Sequence, residues 1–183
     1  MFSRTLRRLA GLTMLAALLL AVAPAYAQRD NSQARPSPNA MLSQTIGTTT
    51  VDLHYSRPGV KGRTVYGDLV PYGRVWRAGA NEPTTITFGG DVIVGGETLP
   101  AGTYNLFVEP QEAGDWAVIF HEPVRWGTMH DAEKEVLRVS ATPQEAPMQE
   151  WLQYRFEDLT DTSATLVLHW ADRALPIVIA TAQ

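Results

Sequence analysis

Between residues 48 and 55 the chain alternates Val51, Leu53 and Tyr55 with Asp52 and His54, the two-residue period of a strand with one buried face. That parity predicts His54 on the face turned away from the apolar set. Runs of the same kind recur at 84–88, 91–94, 97–99, 103–109, 116–121, 135–141, 151–159, 164–170 and 174–180. Branched and aromatic side chains dominate them, and Gly, Pro, Asp and Ser separate them. In one run Leu152, Tyr154 and Phe156 alternate with Gln153, Arg155 and Glu157, and residues 161–163 supply the turn that follows. Gly89-Gly90 and Gly95-Gly96 both read as two-residue hairpin turns. Helical periodicity is nearly absent, with short helical turns expected only at 67–72 and 131–135. Roughly nine or ten short strands without an internal repeat predict an all-β fold, an antiparallel β-sandwich of jelly-roll or immunoglobulin-like type. In such a fold the outward residues and the loops carry any function.

One connection breaks the rhythm. Residues 55–88, YSRPGVKGRTVYGDLVPYGRVWRAGANEPTTITF, place Arg57, Lys61, Arg63, Arg74, Arg77, Trp76, Asn81 and Glu82 on Gly and Pro punctuation. A connection this long is uncommon in a compact domain unless it is functional or disordered. Val65, Leu69, Val70, Tyr72, Val75 and Trp76 argue for order, because disordered segments are poor in such residues. The stretch therefore reads as an ordered cap that presents polar groups.

At the N-terminus Arg4, Arg7 and Arg8 precede an apolar run from Leu9 to Ala23 and the triplet Ala25-Tyr26-Ala27. These are the marks of a secretory signal peptide cleaved after Ala27, with an apolar run shorter than the roughly 20 residues a spanning helix needs. A periplasmic or secreted protein with no membrane span after cleavage is expected. Residues 28–44 are polar and contain proline, and read as a flexible lead-in to a single domain over 45–183. Of the 183 residues, 156 follow Ala27, enough to bury roughly 70% of the unfolded surface. The chain contains no cysteine and so needs no disulfide. Subtracting the three signal arginines from 15 basic residues leaves 12 against 19 acids, a formal charge of −7. That balance speaks against nucleic acid as a partner, since such binding wants a net basic field.

The strings YSRPGVKGRTVYGDLVPYGRVWRAGANEPTTITF, LPAGTYNLFVEP, DWAVIFHEP, RWGTMHDAEKEVLRV and DLTDTSATLVLHW, spread over residues 48–170, resemble the bacterial secreted proteins of Domain of Unknown Function 2911. The resemblance implies an extracytoplasmic β-rich domain and brings no activity with it. Family members often carry Tyr after the Trp-Gly pair, where this chain has Met129-His130.

Candidate chemistry concentrates in the cap. Arg57, Lys61, Arg63, Arg74 and Arg77 fall within twenty-one positions, and several could converge on one anion, since arginine forks match carboxylate or phosphate. Pairing with Asp68, Glu82 and nearby acids is the bland alternative. Trp76-Arg77 followed by Asn81-Glu82-Pro83 is the sharpest short signal. In one reading Trp76 stacks on a sugar or flat ligand while Asn81, Glu82 and an arginine hydrogen-bond it. In the other, Trp76 is core and Arg77 pairs with Glu82 to lock the loop.

His54, His121, His130 and His169 show no metal-ligand spacing, and no thiolate can complete a site. A set assembled from separate strands would need His54 or His121 to meet Glu82 or Asp131. No G-x-S-x-G elbow is present, and Ser56 two places from His54 is a weak signal. Glu82, Glu109 and Asp115 are candidates for paired carboxylates. Trp126 reads as a loop-end aromatic, core or stacking platform.

The expected function is a non-enzymatic module that binds a small-molecule, anionic or glycan ligand through Arg57, Lys61, Arg63, Trp76, Arg77, Asn81 and Glu82, joined by His54, His121 and Trp126. No cofactor or metal is implied. The alternatives are a hydrolase or metal-dependent enzyme using Glu82 with a histidine, and an envelope-associated structural or interaction protein.

Overall fold

Alternation is what divides this chain into two faces. In the computed structural model, which describes residues 32–123 and 130–181, ten strands form two antiparallel sheets. They are β1 (Asn39–Ile46), β2 (Thr49–Ser56), β3 (Thr85–Phe88), β4 (Val92–Val94), β5 (Glu97–Leu99), β6 (Gly102–Glu109), β7 (Trp116–His121), β8 (Glu135–Ala141), β9 (Gln144–Glu157) and β10 (Ser163–Thr181). A 3-10 turn at Ala132–Lys134 is the only helical piece among the described residues. The larger sheet runs β1-β2-β3-β6-β7-β8 and the smaller β5-β4-β10-β9. The expected all-β sandwich is the fold observed.

The inner faces meet in one apolar cluster. Val51, Leu53, Ile86, Phe88, Leu106, Val108 and Phe120 from the larger sheet join Leu152, Tyr154, Leu166, Leu168, Trp170, Ile177 and Ile179 from the smaller. All are buried, which matches the expected inward set in β2 and, in β9, Leu152 and Tyr154, while the expected Phe156 packs against the cluster half-buried. At about 1.5–3 kcal/mol for each large apolar side chain removed from water, this layer is the main force holding the sheets together.

Four boundaries differ from the sequence reading, the simplest being β9, which begins at Gln144 and not at 151. Gly89-Gly90 does not close a hairpin, because β3 pairs with β2 and β6 while β4 pairs with β5 and β10 in the other sheet. A tight hairpin needs positive φ, and neither glycine has it. Gly95 and Gly96 do, at φ 61° and 89°, and they join β4 to β5 as expected. Part of the stretch read as lead-in is strand, for β1 begins at Asn39 and pairs with β2 along its whole length. Its polar sequence hid it, since an edge strand needs few buried side chains. Finally, the runs at 164–170 and 174–180 are one strand, β10, whose register slips on either side of Ala171 at φ 51°, as a bulge does. The signal-peptide reading concerns residues outside those described.

Candidate functional site

The outer face of the larger sheet carries a polar row. Strand register aligns Met41, His54, Thr85, Asn105, His121 and Glu135 across all six strands. An outward row is ordinarily solvated, yet Asn105 and His121 are 0% exposed. Burying polar groups is costly unless each is bonded. The His121 ring meets that demand by holding main chain: Nδ1 lies 2.6 Å from the Glu122 carbonyl, and Nε2 lies 3.2 Å from the Asp131 N–H nitrogen and 3.1 Å from the Asp131 carbonyl. In the Nδ1–H tautomer the ring would donate to Glu122 and accept from the Asp131 N–H. Asp131 thus meets His121 through its backbone and not as a carboxylate. Phe107, buried beside the row, packs edge-on against His121 and His130 with ring centroids 5.4 Å and 5.7 Å away.

At one flank of the row, the Glu135 carboxylate accepts two N–H bonds from Arg138, at 2.7 and 2.8 Å, and one from His130. Arg138 reaches on to Glu109 at 2.9 Å. The Arg138 fork holds the Glu135 carboxyl below its ordinary value, aided by His130 and opposed by burial. The same pairing raises the Arg138 guanidinium.

At the other flank lies the loop 78–83, and its conformation is over-determined. Ala78 and Asn81 adopt φ of 50° and 57°, a region unfavourable for ordinary residues, though easier for Asn. The buried Ala78 carbonyl accepts from the Tyr154 hydroxyl at 2.8 Å and the Thr84 hydroxyl at 3.1 Å. The Trp76 indole N–H donates to the Gly79 carbonyl, and the Asn81 amide to the Ser37 carbonyl. Gly79 has no room for a side chain: a Cβ there would stand 2.5 Å from Thr84 Oγ1 and 3.3 Å from the Ser56 carbonyl. Glu82, held in this frame, takes Arg35 at 2.7 Å and the Ser56 hydroxyl at 3.4 Å. Ser56 shares the outer face with His54, two places along β2.

Trp76 and Arg77 part company here. Trp76 exchanges both backbone bonds with Val108, extending the larger sheet beside β6, and its ring stacks on Trp170 at 5.7 Å and 23°. It faces the core, as the second reading held, and is not a platform for a ligand. Strand alternation then sends Arg77 to the opposite side, the face of Phe107. Arg77 does not pair with Glu82, whose cationic partner is Arg35. Its Nε is buried and has no acceptor among the described residues, and partial burial lowers the guanidinium's pKa.

The remaining basic candidates lie elsewhere. Arg57 Nε donates to the Leu152 carbonyl, and Arg63 donates to the carbonyls of Val60 and Gly59. With exposed Lys61 they gather against β9, so the arginines do not converge on one hollow. Arg74 is exposed, and Trp126 lies outside the described residues. Among the described residues no three His, Asp or Glu side chains are grouped so as to hold a metal. Sequence reasoning missed Asn105, Thr85, Glu135, Arg138, Arg35 and Tyr154. Parity within 103–109 did carry a signal for Asn105, since Thr103, Asn105 and Phe107 share a face.

No curated protein and no solved structure matches the chain. The family described as "Protein of unknown function (DUF2911)" matches residues 37–179, a span that contains both sheets up to Ile179, the loop 78–83 and the polar row. The chain belongs to the DUF2911 family.

Proposed function

We propose that the protein is an extracytoplasmic binding module whose outer-sheet face takes a small molecule bearing a carboxylate or phosphate, seated on Arg77. The buried Arg77 Nε, without an acceptor among the described residues, carries the reading. A partly desolvated guanidinium with no anion beside it among the described residues is unfavourable in the free protein, and a carboxylate or phosphate is the group that its fork matches. The row from His54 through Thr85 and Asn105, with Glu82 at its rim, supplies polar atoms suited to the hydroxyls of a sugar acid or sugar phosphate. The strained, pinned loop 78–83 supports the same reading, because such strain concentrates at ligand clamps. Glu82 is a positioning and hydrogen-bonding group here, tied to Arg35.

The test is a thermal-shift screen of the purified protein with glucuronate, citrate, glucose 6-phosphate and inorganic phosphate. A ligand at about 100 times its Kd adds about 2.7 kcal/mol of stability, which is about 5–10 °C for a domain of this size. The shift is expected in the native protein and absent in Arg77→Met. No shift with any acid, or a shift retained in Arg77→Met, would count against the assignment.

A further inference from the structure

The three basic residues that leave the outer face make a second cluster. Residues 58–60 are zipped onto the outer edge of β9: the Val60 N–H donates to the Glu150 carbonyl at 2.8 Å and the Leu152 N–H to the Pro58 carbonyl at 3.0 Å. That pairing sets Gly59 opposite Trp151. Side chains crowd over Gly59, where a Cβ would lie 3.1 Å from Glu150 Oε1, 3.3 Å from Trp151 Cζ3 and 3.3 Å from Lys61 Cγ. Lys61 Nζ stands 5.7 Å from the centre of the Trp151 ring, which is 37% exposed.

Arg57 and Arg63 are fixed by main-chain carbonyls and not by acids. The Arg57 bond to Leu152 measures 2.8 Å, and the Arg63 bonds to Gly59 and Val60 measure 2.6 and 3.0 Å. Carbonyls orient a guanidinium but do not neutralise it. The Glu150 carboxylate spends Oε1 on the Lys61 backbone N–H at 2.9 Å, and no salt bridge joins it to Arg57, Lys61 or Arg63 among the described residues. The seam therefore keeps a net positive charge on a chain whose formal charge is −4, around an exposed indole.

From this juxtaposition of two carbonyl-anchored arginines, an exposed lysine and a partly exposed tryptophan ring we infer that the seam between residues 57–63 and β9 is a binding site for an acidic saccharide. The indole face takes the apolar side of a sugar ring, and the cations take its carboxylate. This site stands apart from Arg77 and does not depend on the reading of the outer face.

The experiment is a titration of the full chain with oligogalacturonate, followed by calorimetry and tryptophan fluorescence, with a neutral maltooligosaccharide and inorganic phosphate alone as comparisons. Lys61 sits at φ 50°, a conformation that Asn accepts, so Lys61→Asn removes the charge without straining the backbone. Oligogalacturonate is expected to bind, and Lys61→Asn to weaken it about fivefold, the weight of one partly screened contact. Trp151→Leu should weaken it about tenfold and abolish the fluorescence change. Arg77→Met should leave it untouched, which separates this site from the outer face. No binding at low salt, equal binding of the neutral oligomer, binding of phosphate alone, or unchanged affinity in Lys61→Asn and Trp151→Leu would each overturn the inference.

Discussion

Gly79→Ala puts the loop 78–83 to a quantitative test. The new methyl would stand 2.5 Å from Thr84 Oγ1, closer than non-bonded carbon and oxygen atoms approach, and the Ser56 carbonyl at 3.3 Å blocks retreat on that side. Thr84 is fully buried and its hydroxyl is engaged with the Ala78 carbonyl, so relief requires breaking that bond or shifting the loop. Overpacking of this kind costs about 1–3 kcal/mol, and the lost hydrogen bond about 1 kcal/mol more. Together they predict a loss of about 2–4 kcal/mol, or about 5–15 °C in Tm. Urea denaturation of four proteins measures it: wild type, Gly79→Ala, Thr84→Ala and the double variant. Thr84→Ala alone should cost about 1 kcal/mol, because the Ala78 carbonyl keeps its Tyr154 donor. Since it also removes the clashing oxygen, the double variant should be more stable than the sum of the singles by about 1–2 kcal/mol. A neutral Gly79→Ala, or strict additivity, would refute the close approach and with it the rigid loop.

Other expectations follow from single groups. Tyr154→Phe deletes the hydroxyl that donates to the Ala78 carbonyl and should cost about 1–2 kcal/mol, with faster amide hydrogen exchange confined to residues 78–84. Glu135, whose carboxyl is held below its ordinary value of 4.5 chiefly by Arg138, contributes stability that is complete above the unfolded value and lost as pH falls through the folded one. Urea midpoints across pH 2–7 should therefore show Glu135→Gln less stable than wild type at neutral pH, with the gap closing below about pH 4. Trp76→Leu should lower stability by about 2–4 kcal/mol, since it empties the stack on Trp170. A loss of ligand affinity alone, without loss of stability, would contradict its place in the core.

The strands were legible because burial imposes a two-residue period, and in β2 and β9 that period named the inward side chains one by one. It failed where burial is weak. Asn39–Ile46 is mostly half-buried or exposed and the first half of β9 largely exposed, and so they looked like polar lead-in and loop. Gly89-Gly90 had hairpin composition, but φ at those glycines depends on which sheet receives the next strand, a property of the whole chain. The cap's composition pointed to the right segment and could not divide it. Trp76 and Arg77 are adjacent in sequence and opposed in space, and Arg57 and Arg63 turn to carbonyls nearby or across on β9. The depth of Asn105 and His121 was equally hidden, because parity assigns a residue to a face and says nothing of what packs over it.

The most direct measurement is an NMR titration that follows the Arg77 side-chain Nε–H signal, which burial should shelter from exchange with water. On addition of glucuronate or inorganic phosphate, each in turn, the account predicts that this signal moves for at least one of them. The Asn105 amide and the His54 ring should shift along with it, at the same saturating concentration. An Arg77 signal unmoved by every acid tried, or shifts that appear only among surface residues remote from the row, would contradict it.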